Sequence, residues 1–161
     1  MRNILIIAFL SATLVGCSSI FGVSDKNMKV GEMNKAEWFA CTYTEPLVGA
    51  EYDAPQIDMM KTFHDSKQIS YEIFAGSWCG DSKEELPIIF SIFDKTGIDT
   101  TKYKIYGVDR DKEEPSGIAE QKNIEKVPTL IILSQGREIG RIVEFPNDSW
   151  INNMFEILIK N

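Results

Sequence analysis

The chain has 161 residues, a formal net charge of -7, 43% hydrophobic and 25% charged residues. That is enough for one globular domain with extensions and is ordinary in composition. No basic patch stands out, which excludes nucleic acid as a partner on charge grounds.

The first residues read as a targeting segment. Met1-Arg2-Asn3 is a short positive region, and Ile4 to Val15 is a mostly apolar stretch too short to span a bilayer. Leu14-Val15-Gly16-Cys17-Ser18-Ser19 follows, with a small residue before a cysteine and a serine-rich start after it. This resembles a bacterial lipobox. The resemblance implies a signal peptide over 1–16 and lipidation of Cys17, with a plain secretory leader as the alternative. Loss of Arg2 with the leader would take the net charge from -7 to -8. Several acyl chains give a far firmer hold than one, so the expected partner is a membrane in the cell envelope. Ser18, with no Asp beside the lipidated cysteine, implies the periplasm-facing outer membrane if the source is Gram-negative. Residues 17–35, poor in large apolar groups, are expected to be a tether, and 36–161 the folded domain.

Ala36 to Thr44 is aromatic and β-leaning and fits either a first strand or a short helix. Pro46 to Ala54 is turn-rich. Asp53 is placed to cap a helix with Pro55 in its first turn, bringing Ile57, Met60, Phe63 and His64 onto one face. Ile69 to Ala75 alternates as an interior strand. A helix over about Ser82 to Lys95 sets Leu86, Ile89, Phe90 and Phe93 at helical spacing, with Pro87 inside it as a kink. Tyr103 to Asp109 is a second strand, Arg110 to Pro115 a charged loop, and Ser116 to Asn123 a short helix capped at Ser116. Val127 to Leu133 is a near-continuous apolar strand. Gln135-Gly136 turns into a returning strand over Arg137 to Phe145. Ser149 caps a final helix that presents Trp150, Met154, Phe155 and Ile157 or Leu158 inward. The chain shows no internal repeat.

The chemistry concentrates in Gly76-Ser77-Trp78-Cys79-Gly80-Asp81-Ser82, at the junction of strand and helix. A cysteine at a helix N-terminus meets unpaired N–H groups and the positive end of the dipole, which favour an anion such as a thiolate. Asp81 adds a nearby negative charge that opposes it. Trp78 offers a flat apolar flank, and Gly80 leaves room for an approaching chain. The stretch closely resembles the active-site loop of the thioredoxin family, Trp-Cys-Gly-x-Cys, with Ser82 where the family has its second cysteine. About 49 residues on, Val127-Pro128-Thr129 resembles the family's cis-proline segment. There the backbone of residue 127 can pair with an extended substrate beside the thiol.

The resemblance covers about Gln56 to Asn161. It implies a thioredoxin-like α/β fold, a mixed sheet built as βαβ then ββα and flanked by helices. It also implies Cys79 as nucleophile, Ser82 as a hydroxyl able to hydrogen-bond the Cys79 sulfur, and Trp78, Gly80, Asp81, Val127 and Pro128 as the surround for substrate. Two departures bear on activity. Serine cannot resolve a mixed disulfide, and Ile73 stands where the family carries a buried acid, six residues before the cysteine.

The expected function is therefore monothiol thiol–disulfide exchange on client protein thiols or disulfides, or on a small thiol, with an external thiol completing the cycle. The alternative is a binding module that holds an extended peptide between Trp78 and Pro128 without turnover. Cys41 is read as a small buried apolar residue, a pair with Cys79 being the other possibility. His64 is read as a packing or surface residue, and Glu84-Glu85 as first-turn helix charge. No Cys/His cluster suits a metal, and no cofactor is expected. C-G-x-S also resembles monothiol glutaredoxins, which hold an iron–sulfur cluster with glutathione; Trp78, the export segment and the lack of glutathione motifs argue against that.

Overall fold

The computed structural model describes residues 28–161. The signal peptide, Cys17 and the first part of the expected tether lie outside these residues. Among the described residues no helix is long and apolar enough to cross a membrane.

Strand β2 (Ile69–Ala75) is the centre of the sheet. It pairs in parallel with β3 (Tyr103–Gly107) and antiparallel with β4 (Thr129–Ser134). β5 (Arg137–Val143) returns against β4, and β1 (Gly31–Met33) runs antiparallel along β3. The order β1-β3-β2-β4-β5, with its connecting helices, is the thioredoxin-like mixed sheet expected from the sequence.

The larger core lies on one face, where Tyr71, Ile73, Ile105, Leu130 and Ile132 meet the helices α1 (Lys35–Thr42), α2 (Ala54–Lys67), α3 (Gly80–Thr96) and α5 (Trp150–Lys160). Phe93 is wedged against Tyr71 and Tyr103, with ring centroids 4.8 and 5.0 Å away. The other face carries Phe74, Tyr106, Val108, Ile131 and Leu133, covered by the short α4 (Ile118–Gln121) through Ala119. Ile73 is fully buried, so this position of the core is apolar in fact as well as in sequence.

Two expectations change and one open alternative is settled. The segment 17–35 is not a tether to its end, because Gly31–Met33 forms β1 and completes the sheet. Nothing in Gly-Glu-Met signals a strand; the partner is more than 70 residues away. Ala36 to Thr44 resolves as helix α1. Its N-cap Asn34 accepts the Glu37 N–H while Glu37 accepts the Asn34 N–H, a capping box that overrides the β-leaning composition. Third, Ser116 does not cap α4. Glu114, 8% exposed, accepts from the N–H and hydroxyl of Ser116 and from the N–H groups of Ile118 and Ala119.

Burial alone would push the Glu114 carboxyl up, but the donors of Ser116, Ala119 and Ile118 outweigh it and hold it below the ordinary Glu range. Glu114→Ala leaves several of these N–H groups without an acceptor and is expected to cost about 1–3 kcal/mol in a urea titration at pH 7. Because the folded state binds this proton more weakly than the unfolded chain, the contribution fades as pH falls through the acid range.

His64 is buried and stacks on Tyr71 at 5.8 Å and 10° between planes. Burial, and then Lys102, push its imidazole below the ordinary value of 6.5, against the opposing pull of Asp65 and Asp99. The unfolded chain therefore takes up this proton first, and stability is lost as pH drops below about 6.5. The urea midpoint of the native chain is expected to fall further between pH 7.5 and 5 than that of His64→Phe.

Candidate functional site

All the loops that matter meet at one end of the sheet. β2 and β3, being parallel, both finish there, at Ala75 and Gly107, and antiparallel β4 starts there, with Thr129 opposite Phe74. Beyond Ala75 the chain turns through Gly76 and Ser77, with the Cys79 N–H closing on the Gly76 carbonyl at 2.9 Å. Cys79 is the N-cap of α3 in extended backbone conformation, and its carbonyl accepts the Lys83 N–H at 3.2 Å. Its side chain provides no capping hydrogen bond. The thiol is free and partly exposed. Its Sγ lies 3.6 Å from the Val127 carbonyl oxygen, next to Pro128, and the Val127–Pro128 peptide is cis.

Trp78 is held on both sides. Its indole N–H donates to the Val108 carbonyl at 2.9 Å, and the Arg110 guanidinium lies 4.9 Å over its ring. The ring covers Gly76 so closely that a Cβ there would sit 2.7 Å from the indole. Gly80, by contrast, is exposed, and a Cβ on it would meet nothing within 4 Å. Its openness suits the approach of a partner chain. Asp81 is half-buried in the first turn of α3.

Ser82 departs from expectation. It is fully buried, and its hydroxyl accepts the Gly76 N–H at 3.2 Å; no hydrogen bond joins it to the Cys79 sulfur. The physical reason is that the first turn of α3 folds back over the exit of β2, where a buried backbone donor needs an acceptor. Ser82 is thus a buried support of the loop, and the exposed faces belong to Cys79, Gly80 and Trp78.

Cys41 is also free. Its thiol points at the Trp38 carbonyl, 3.3 Å away, and burial pushes it above the ordinary thiol value. It packs with the larger core cluster, whereas Cys79 packs with the smaller one on the other face of the sheet. This arrangement does not bring the two thiols together as a disulfide pair. His64 is buried and packs on Tyr71, as a core residue. Among the described residues no group of His, Cys, Asp and Glu could hold a metal ion.

Two features at this end escaped sequence reading. Ser77 is buried, and its hydroxyl accepts the backbone N–H of Lys29 at 3.0 Å. Met28, Cys41, Tyr43, Ser77, Trp78, Lys83 and Arg110 line a cavity of about 300 Å³. Both depend on contacts across more than 30 residues, for which no local pattern exists.

The strand order, the helix-capping cysteine and the facing cis-proline define a thioredoxin-like fold. In sequence the chain is similar to thioredoxin H2 of Arabidopsis thaliana, with 30% identity over 76 residues, which are 47% of this chain and 52% of that protein. The chain thus spans about half the length of this curated relative. No protein-family model matches. Similar solved structures include a thioredoxin of Nicotiana alata (25% identity, 73% of this chain and 95% of that one, TM-score 0.41). Another is thioredoxin O2 of Arabidopsis thaliana in the oxidised state (20%, 65% and 87%, 0.40).

Gly76→Ala forces the indole off its seat and strains its hydrogen bond to Val108. Overpacking of this kind costs about 1–3 kcal/mol, so a urea titration of the variant is expected to show a loss in that range, while Gly80→Ala leaves the unfolding free energy within about 0.5 kcal/mol of the native chain's.

Proposed function

We propose that this chain is an exported, lipid-anchored thioredoxin-like protein that carries out monothiol thiol–disulfide exchange through Cys79. The observation that supports it most is the setting of Cys79: a free, partly exposed thiol at the N-terminus of a 17-residue helix, against the backbone of Val127 and beside Pro128, with a serine where a resolving thiol would stand. The exposed edge beside Gly80 admits a partner.

In this reading the Cys79 thiolate attacks one sulfur of a client disulfide. A new S–S bond forms to Cys79, and the client's other sulfur leaves as a thiolate. An external thiolate then attacks the client sulfur of the mixed disulfide, forms its own S–S bond there and returns Cys79 as thiolate. No net electrons accumulate on the protein, so the cycle reshuffles disulfides or passes them to a second thiol. Trp78 and the Val127 backbone flank the client segment. The protein is placed in the cell envelope by a lipid on Cys17, facing the periplasm from the outer membrane if the source is Gram-negative.

The test is trapping. In a Cys41→Ser background, the protein is mixed with a dye-labelled disulfide peptide and run on non-reducing gels. One adduct per chain is expected, lost in Cys79→Ala and persistent until a thiol is added. Ser82→Cys supplies an internal resolving thiol, so the adduct should decay at least about tenfold faster. A folded chain that yields no adduct with the peptide would sink the exchange reading in favour of a peptide-binding module, checked by retention of the reduced peptide.

A further inference from the structure

Residues 28–31 lie against the Cys79 loop. Because β1 is antiparallel to β3, its first residue, Gly31, pairs with Gly107, at the end of the sheet where Cys79 lies. Upstream of it the Lys29 N–H is hydrogen-bonded to Ser77, the residue before Trp78. The Lys29 carbonyl lies against Gly107, where a Cβ would collide with it. Met28 lines the same cavity as Trp78. Residues 28–31 therefore lie at the rim of the Cys79 loop. The C-terminus sits at the other end of the sheet. The Leu158 carbonyl takes the Lys67 ammonium at 3.1 Å, and Lys67 in turn adjoins Ser134, which is paired with Ile69 at the start of β2.

From this polarity we propose that the active-site end of the domain faces the bilayer, and that its clients are thiols or disulfides displayed at the membrane surface, on membrane-bound proteins, in preference to freely diffusing ones. The inference deepens the exchange reading and rests on it and on lipidation of Cys17. Only residues 18–28 separate Cys17 from Lys29. Even fully extended they reach about 40 Å. An anchor attached at this rim keeps the Cys79 face within that distance of the lipid, whereas an anchor at Asn161 would turn it away. Holding both reactants on one surface raises their effective concentration without any new contact.

The experiment compares two arrangements of residues 17–161 in phosphatidylethanolamine/phosphatidylglycerol vesicles, both Cys41→Ser. One carries lipid on Cys17. The other begins after the leader with Cys17→Ser and is anchored through an added eleven-residue tail and lipid after Asn161. One disulfide peptide is offered either in solution or coupled to lipid by a short linker. The expected result is that the Cys17-anchored chain forms its Cys79 adduct with the lipid-coupled peptide about tenfold faster than the C-terminally anchored chain. With the soluble peptide the two rates should agree within about twofold. Equal rates on the lipid-coupled peptide overturn the proposal while leaving the exchange reading intact. Absence of lipid on Cys17 by intact mass, or absence of adduct even with soluble peptide, overturns the underlying reading and the proposal together, each by its own readout.

Discussion

The hydrogen bond from the Gly76 N–H to the Ser82 hydroxyl is the constraint on which the rest of the site depends. It joins the exit of the central strand to the first turn of α3 inside a region where neither group reaches water. With that turn fixed, Cys79 is left at the helix N-cap, and Trp78 is laid across Gly76 with its indole N–H reaching Val108. Breaking one buried donor–acceptor pair would cost more than the pair itself contributes, because the orphaned partner stays desolvated. Ser82, buried in the first turn of α3, is thus a group that holds the loop's shape.

Much of the fold was legible because it is local. β2, α3, the β4–β5 hairpin and α5 carry their own periodicity, turns and caps. Ser149, for instance, accepts the Asn152 N–H as a serine before an apolar helix should. Pro128 and Trp78-Cys79-Gly80 were legible from motif spacing. What stayed hidden is what depends on distant partners. β1 exists because Gly31 to Met33 can reach β3, not because of their own preferences. α1 was ambiguous only as long as its aromatic content was weighed above Asn34 and Glu37, whose spacing was the available signal. Ser82 shows the limit at the site: its identity was plain, but its direction is set by which buried donor lies nearest.

The two faces of the sheet divide the labour. The face beneath α1, α2, α3 and α5 holds the bulk of the aromatic packing, around Phe90 and Phe93. The face beneath α4 holds a smaller cluster to which Trp78 and Cys79 attach at its edge. The larger core connects to the thiol through the backbones of β2, α3 and β4. The Trp78–Cys79 loop thus sits at the edge of the smaller cluster, apart from the larger one.

β1 has a consequence for solubility. It is three residues long, and it covers the outer edge of β3, whose sequence Tyr-Lys-Ile-Tyr-Gly is rich in β-formers. A bare edge of that kind is a template for another chain's strand. The short β1 acts as a plug that uses up those N–H and C=O groups while offering almost no edge of its own. A version of the domain cut at residue 36 would lose this cover, and its first failing would be self-association through the uncovered strand instead of loss of the core.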